Sequence, residues 1–255
     1  MDNQLLLLSG NDIPFIEAEV TIHQPTIKEI AYIGEEAFFT GCELINFSKD
    51  VLPEQDKIKL ENYSNFDVLL AILEERNAVM QKNRNCLELL LALIFPWYTI
   101  EITKRNIKLS KEEENHYIDD SNFEVFKNII NEIFCYSKNS TKRDYNPAGD
   151  LAKKIIEKLK KRTQILSEIK KEENKKINFF GRYISILTVG ENKDMNSLFQ
   201  LSVYQLYDEY ERFRLKTNSD LHIQVKLAGG NSEKEVEDWM KDIHAEKIDE
   251  MNDLL

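Results

Sequence analysis

The stretch "HQPTIKEIAYIGEEAFFTGCEL", residues 23–44, carries the start signals of a helix followed by an apolar stripe. Thr26 is a good N-cap, and Glu29 stands three residues later as its capping-box partner. Apolar and small residues then recur at steps of three and four, the spacing of one helical face. These residues are Ile27, Ile30, Gly34, Ala37, Gly41 and Leu44. Glycine inside a helix costs about 1 kcal/mol relative to alanine, so we expect Gly34 and Gly41 to permit the close approach of another backbone.

Two other stretches predict β structure. Residues 5–9 read as a strand, residues 10–12 as a turn, and residues 15–23 as a second strand, because Phe15, Glu17, Glu19 and Thr21 alternate there with aliphatic side chains. The aliphatic set predicted to face the core is Ile16, Ala18, Val20 and Ile22. Residues 97–103 and 106–110 then predict a hairpin, which we expect to complete a small sheet with the N-terminal strands.

Helical periodicity and capping signals account for most of the remaining chain. The predicted helices are 65–82, 85–95, 121–134, a long helix that starts at Pro147, and 201–216. The second of these ends before Pro96. Residues 183–190 fit either a short helix or a strand, and the helical pattern that follows them favours the helix. Asp194 is predicted to cap a short turn. Shorter helices are predicted up to Gly229 and Gly230, and around Trp239 after a capping box of Ser232 and Glu235. The sequence thus predicts an α+β fold that is mainly α-helical, with a small N-terminal antiparallel sheet and a C-terminal helical module.

These elements suggest a division into three parts. The predicted parts are an N-terminal α+β domain at 1–146, a long basic helix or connector at 147–178, and a C-terminal helical module at 179–255 that ends in a frayed acidic tail. The three cysteines are odd in number and far apart, which argues against a disulfide framework and favours three buried or half-buried thiols.

Charge is unevenly distributed along the chain. The formal net charge is −11, which disfavours general nucleic-acid binding because phosphate neutralisation needs a surplus of cations. Residues 151–176 run against this trend, with ten basic and four acidic residues and hence a net charge of +6. Three interpretations stay open for this helix: contact with nucleic acid, docking to an acidic partner or to the acidic remainder of the same protein, and a merely solvated face. The lack of aromatic residues between 151 and 176 weakens the first interpretation.

Motifs that carry chemistry are scarce. We find no glycine-rich phosphate loop, no nucleophile elbow and no histidine pair at metal spacing, so we expect a non-enzymatic protein without a cofactor or metal site. The acidic run "EEENHYIDD", residues 112–120, could hold a hard cation, although a solvated charge run is the more common outcome. A hydrolase or nuclease built on the carboxylates of Asp119 and Asp120 is a further alternative.

The apolar clusters are too short for a membrane span. Residues 5–8 and 87–95 fall well below the roughly 20 residues that a spanning helix requires, and the first cluster lacks the basic start of a signal peptide. We therefore expect no membrane association and a location in the cytoplasm of the cell that makes the protein.

Several short stretches together resemble tail assembly chaperones, or tail morphogenesis proteins, of tailed phages and prophages of low-GC Gram-positive bacteria. The stretches are "PTIKEI" (25–30), "FPWY" (95–98), "YNPAG" (145–149), "SILTVG" (185–190), "YQLYDEYERF" (204–213), "LAGG" (227–230) and "EDWMKDI" (237–243). Each motif is weak alone, and their order along nearly the whole chain makes the resemblance more specific.

The resemblance implies a largely helical assembly factor that binds the tape measure protein, the tail tube protein or both, and that could also associate with copies of itself. It supplies no catalytic motif. Our own reading of surfaces nominates partner-binding residues: Ile30, Gly34, Gly41, Lys153, Lys154, Lys160, Lys161, Tyr207, Tyr210 and Trp239. The alternative is a structural protein of the mature virion, in the tail or baseplate, since the predicted sheet is more elaborate than a small chaperone needs.

Overall fold

Helices form most of the described chain, and two small antiparallel sheets lie among them. The computed structural model describes residues 4–51, 58, 60–74, 77–136, 178–229, 238–240 and 243. The helices are α1 Gln4–Ser9, α2 Ile27–Ile33, α3 Glu35–Ile45, α4 Asn65–Leu73, α5 Ala78–Ile94, α6 Phe123–Ile133, α7 Phe179–Glu191, α8 Met195–Phe199 and α9 Val203–Leu227. The strands are β1 Ile13–Phe15, β2 Val20–Ile22, β3 Thr99–Ile102, β4 Ile107–Lys111 and β5 Glu114–Ile118. The predicted α+β, mainly helical class is confirmed.

The N-terminal leucine run is a helix, so the predicted strand at residues 5–9 is wrong. A run of leucines has no period of two, and leucine is a strong helix former. The predicted strand at 15–23 is also wrong in part, because a 3-10 turn separates β1 from β2 and Glu19 adopts a φ of 55°. The two short strands therefore pair with each other. As a result Phe15 is buried, whereas Ile16 is 70% exposed.

The capping box at the start of α2 is confirmed. The Thr26 hydroxyl accepts a hydrogen bond from the Glu29 amide at 3.2 Å, and the Glu29 carboxylate accepts one from the Thr26 amide at 2.7 Å. The helix then stops at Gly34, whose φ of 84° breaks the predicted single helix into α2 and α3. No atom lies within 4 Å of a Cβ built at Gly34, so the close approach predicted there is wrong. The glycine is required for its backbone conformation.

Close approach does explain Gly41. A Cβ there would lie 2.8 Å from the Leu90 side chain and 3.2 Å from the Cys86 carbonyl oxygen, so α3 and α5 pack with their backbones close together. Because the chain breaks at Gly34, the apolar stripe of α3 is shifted by one residue from the predicted one. The buried residues of α3 are Phe38, Gly41, Cys42 and Ile45.

The next two helices are confirmed, but their shared boundary is wrong. The predicted helix 65–82 ends at Leu73, and its successor begins at Ala78 instead of residue 85. The Asn77 side chain accepts a hydrogen bond from the Met80 amide at 2.9 Å, which makes Asn77 the N-cap. The end of α5 at Ile94, just before Pro96, agrees with the prediction.

The predicted hairpin at residues 97–110 is confirmed as β3 and β4, but the expectation that it joins the N-terminal strands is wrong. Its third strand is β5, which lies within the acidic run 112–120. Side chains cap both outer edges of this sheet: Arg84 donates to the Ile102 carbonyl at 3.0 Å, and Asn122 donates to the Tyr117 carbonyl at 3.0 Å. Occupied edge carbonyls are less available for pairing with another strand.

One hydrophobic core runs from Leu7 in α1 to Leu206 in α9. Phe126 of α6 is fully buried in this core, and the helix predicted at 121–134 is confirmed. A reciprocal amide pair ties α6 to α3, since Asn46 donates to the Asn131 side-chain oxygen at 2.7 Å and Asn131 donates back at 3.0 Å. The core includes residues from both sides of the predicted connector, and the connector itself lies outside the described residues except for Asn178.

The last helices form the described part of the predicted C-terminal module. The predicted helix 183–190 is confirmed within α7, and Asp194 caps α8 by accepting from the Ser197 amide at 3.0 Å. A separate short helix before Gly229 is wrong, because α9 runs unbroken for 25 residues. The helix predicted after Ser232 lies mainly outside the described residues, of which 239–240 form a turn. Across the described residues, no helix is both long enough and apolar enough to cross a membrane.

Candidate interaction site

An aromatic groove lies where α7 and α9 pack against α3 and the end of α6. It encloses about 290 Å³ and is partly open to solvent. Its walls are Phe38 and Phe39 from α3, residues 134–136 after α6, residues 179, 180 and 183 of α7, and residues 203, 206 and 207 of α9. We call this feature the aromatic groove.

Ring contacts hold the walls of the aromatic groove together. Phe39 stacks on Phe180 with ring centroids 5.6 Å apart, and Phe38 meets Phe134 edge to face at 4.8 Å. These aromatic pairs add about 0.5–1.5 kcal/mol each beyond their buried area. The groove is therefore a preformed surface and not a gap between loosely packed helices.

A carboxylate fixes the helix that forms one wall of the groove. Glu35 accepts hydrogen bonds from the Phe179 amide at 2.7 Å and from the Phe180 amide at 2.8 Å. Its negative charge also lies at the positive end of the α7 dipole, where a negative charge is stabilising. Because Glu35 directly follows Gly34, the break between α2 and α3 places this carboxylate where it can hold the phenylalanines of α7. We call the two hydrogen bonds from Phe179 and Phe180 to Glu35 the Glu35 clamp.

The tyrosines of the groove lie in a field of nearby carboxylates. Burial raises the pKa of Tyr207, and the charge of Glu211 raises it further, while Arg214 acts in the opposite direction. Burial also raises the pKa of Tyr136, with an added effect of Glu43. Phenol groups in the groove therefore stay protonated at neutral pH and can donate hydrogen bonds.

The start of α9 is joined to the N-terminal part by a pair of facing helix caps. The Ile27 amide donates to the Leu201 carbonyl at 2.9 Å, next to the bridge between Thr26 and Ser202. Gln205 completes the Ser202 capping box and also donates to the Leu8 carbonyl at 2.9 Å. These bonds fix the start of α9, and hence the last wall of the aromatic groove, relative to α1 and α2.

Beside these caps, His23 lies between two carboxylates. Its Nδ1 is 2.9 Å from Asp12 and its Nε2 is 3.5 Å from Glu29, while the imidazole and the Trp97 ring form a T-shaped pair. Sequence reasoning missed this cluster, although His23 and Glu29 flank the predicted N-cap Thr26. Since Glu29 is already held by the Thr26 cap, the cluster ties β2 and α2 to the turn at Asp12.

This arrangement predicts an acid-sensitive contribution to stability from Glu29. Burial acts to raise its pKa, but hydrogen bonds from Thr26 and the charge of His23 outweigh burial and lower the pKa from the ordinary value of 4.5. A lowered pKa adds stability above the unfolded-state pKa, and that stability is lost as pH falls through the folded-state pKa. Chemical denaturation of Glu29→Gln from pH 7 to pH 3 should therefore show a smaller loss of stability on acidification than the unsubstituted protein.

Glu17→Gln is the matched control, because Glu17 is exposed on the 3-10 turn. We expect its acid dependence to follow that of the unsubstituted protein. If stability depends on pH in the same way for Glu29→Gln and Glu17→Gln, Glu29 does not make the acid-sensitive contribution assigned to it. The effect should be well below 2 kcal/mol, because the Glu29 side chain is 43% exposed and solvent screens its interactions.

The structure places the nominated partner-binding residues in different settings. Ile30 and Gly41 are buried in the core of the chain itself. Gly34 lines a second cavity of about 260 Å³ between α2, α7 and α8. Tyr207 lines the aromatic groove, and Tyr210 packs on Tyr183 with ring centroids 4.3 Å apart.

The other nominated residues lie away from the groove or outside the described chain. Trp239 is 40% exposed, and its carbonyl accepts a hydrogen bond from Arg212 at 3.2 Å. The four lysines, Lys153, Lys154, Lys160 and Lys161, are outside the described residues. Sequence reasoning missed the groove phenylalanines, and the signal that could have found them is two Phe-Phe pairs, at 38–39 and 179–180.

Elsewhere in the described chain, one carboxylate of the hydrolase or nuclease alternative has a structural role. Asp119 accepts hydrogen bonds from the Ser121 amide at 2.9 Å and the Ser121 hydroxyl at 2.6 Å, so it orders the turn into α6. Cys42 and Cys86 are buried and Cys135 is half-buried, as predicted, and burial raises the pKa of Cys42. Within the described ranges, no group of three or more histidine, cysteine or acidic side chains is placed to hold a metal ion.

A family model matches the part of the chain that contains α7 and α9. Residues 170–244 match a family model described as YomV second domain. YomV is a phage-region protein, and the match indicates a phage or prophage origin for this chain. The matched residues contain α7, α8 and α9, and of these α7 and α9 form one side of the aromatic groove. No curated protein and no solved structure matches the chain.

Proposed function

We propose that the protein is a non-enzymatic, chaperone-like assembly factor for a phage tail, which binds the tape measure protein, the tail tube protein or both during tail morphogenesis. The observation that carries the proposal is the aromatic groove, a preformed and partly open apolar surface. One of its sides belongs to the region that matches a phage-region family. The site of action would be the cytoplasm of the bacterial host.

A binding role fits the chemistry of the described residues better than catalysis does. Asp119, Asp194 and Glu35 each hold backbone amides at a turn or a helix start. The His23 cluster is likewise part of the α2 cap. Apolar aromatic surface is what a protein needs to hold an aggregation-prone partner.

Co-expression with the tape measure and tail tube genes of the same phage genome tests the proposal. We expect an affinity-tagged chain to retain one of these proteins and to raise its soluble fraction. A tagged unrelated acidic protein of similar size is the control. If the tape measure and tail tube proteins behave the same with either tagged protein, the proposed function is wrong.

The second candidate function is a structural protein of the mature particle, in the tail or baseplate. It is favoured by the continuous core that joins α1 to α9, since a rigid body suits a permanent component. Protein composition of purified particles separates the two functions. A stoichiometric band in particles supports the structural role, whereas presence in the lysate and absence from particles supports the assembly factor.

A further inference from the structure

We propose that the side-chain amides of Asn46 and Asn131 form a register lock, which holds α6 in a single position against α3 and thereby places the groove wall at 134–136. The lock selects one arrangement of the two helices and adds little to the stability of the fold. It acts within the chain itself, whether or not the aromatic groove binds a tail protein.

The two amides of the register lock satisfy each other. Asn46 donates to the Asn131 side-chain oxygen at 2.7 Å and accepts from the Asn131 side-chain nitrogen at 3.0 Å. The Asn46 amide also donates to the Cys42 carbonyl at 3.1 Å, so the donors of this buried side chain are fully used. Such a reciprocal pair requires both amides at short distance and in a set orientation. A shift of either helix therefore breaks both bonds together.

Apolar packing alone leaves the register of α6 open. The buried face of this helix repeats large apolar side chains at steps of three and four residues, namely Phe123, Phe126, Ile130 and Ile133. A shift by one helical turn, about 5.4 Å along the axis, still presents apolar residues to the core. The same shift moves Asn131 away from Asn46 and leaves a buried amide without its partner. One polar pair in an apolar interface selects a single register in this way.

Asn131 also connects the register lock to the aromatic groove. Its carbonyl accepts a hydrogen bond from the Tyr136 amide at 2.9 Å, and this bond closes the turn in which Cys135 adopts a φ of 50°. Phe134, the residue before this turn, meets Phe38 of α3 edge to face. Asn131 therefore holds α6 against α3 through its side chain and holds the groove wall through its backbone.

Paired amides predict different results for single and double substitutions. Removal of one partner leaves a buried polar group unpaired, whereas replacement of both by apolar groups of the same shape is nearly neutral. Leucine has almost the shape of asparagine. Asn46 is 8% exposed and Asn131 is half-buried. Loss of Asn131 is therefore the more damaging change, because it leaves the side-chain oxygen of Asn46 unpaired in the core.

Urea denaturation of Asn46→Leu, Asn131→Leu and the double variant of the full chain tests the energetic part. We expect Asn131→Leu to lower the equilibrium constant for folding by about tenfold, and Asn46→Leu to lower it by less. We expect the double variant to lie within about threefold of the unsubstituted protein. If the double variant loses as much as the two single variants together, the pair is a source of stability and the proposal is wrong.

Hydrogen–deuterium exchange followed by mass spectrometry tests the register itself. In the double variant we expect peptides from α6 and from 134–136 to exchange at least about tenfold faster than in the unsubstituted protein, although the two proteins have similar stability. Unchanged exchange of these peptides would show that apolar packing sets the register without the lock.

Asn128→Leu is the matched control for the exchange experiment. It makes the same substitution on the same helix, at an exposed position, so we expect its exchange to match that of the unsubstituted protein. Equally fast exchange in Asn128→Leu and in the double variant would contradict the proposal, because a new leucine on α6 would then explain the result without loss of the amide pair.

Discussion

Replacing Phe126 with alanine is expected to destabilise the protein by about 3–5 kcal/mol, the cost of deleting a large ring from a packed core. Phe126 is 0% exposed, and its ring lies 5.9 Å from that of Phe15 and 6.0 Å from that of Phe95. It therefore joins β1, α5 and α6 at one point. Few surrounding groups can move into the space that its removal leaves.

Urea denaturation of Phe126→Ala, followed by circular dichroism, measures this loss. Val125→Ala is the control, because Val125 precedes Phe126 on the same helix and is 38% exposed. We expect the control to cost about 1 kcal/mol or less. A loss below about 1 kcal/mol for Phe126→Ala would show that the three elements do not depend on this ring.

Gly41→Ala is the second substitution with a large expected effect, about 1–3 kcal/mol of destabilisation. Alanine favours a helix over glycine by about 1 kcal/mol, so helix propensity alone predicts the opposite sign. The new methyl group would lie 2.8 Å from the Leu90 Cβ, an atom that cannot move without the α5 backbone. Packing between α3 and α5 therefore decides the result.

Gly190→Ala in α7 is the matched control. Its methyl group would lie even closer to a neighbour, 2.3 Å from the ring tip of Phe213. That ring is half-buried and can rotate aside, so we expect Gly190→Ala to cost less than Gly41→Ala in the same urea experiment. The reverse order of the two losses would contradict the close packing assigned to α3 and α5.

Local signals in the sequence were reliable where a few neighbouring residues decide the structure. The Thr26 capping box and the helix stop before Pro96 form as predicted, because each depends on bonds within about four residues. The single helix predicted across Gly34 failed, since glycine is compatible both with a helix and with the φ of 84° found there. The strand β5 was not predicted, because its inward residues His116 and Ile118 lie within a run of mostly acidic residues.

Only part of the candidate site could be predicted from the sequence. Tyr207 was nominated and lines the aromatic groove, whereas Ile30 was nominated for its position on an apolar stripe and is buried in the core. A stripe shows that a helix face will be covered, but it does not show whether the covering surface comes from the same chain. Phe39 and Phe180 were missed because 141 positions separate these two stacked rings in the sequence.

By itself, the sequence determined that this protein is a mainly helical α+β structure, and it located the starts of α2, α4 and α8, because capping and hydrophobic periodicity are local properties. Only the tertiary structure decided which apolar helix faces are buried in the core and which remain exposed to solvent. The Glu35 clamp, the Phe39–Phe180 stack and the Thr26–Ser202 bridge all join residues more than 140 positions apart. Contacts of that range depend on the packing of whole helices, and no pattern within one segment specifies them.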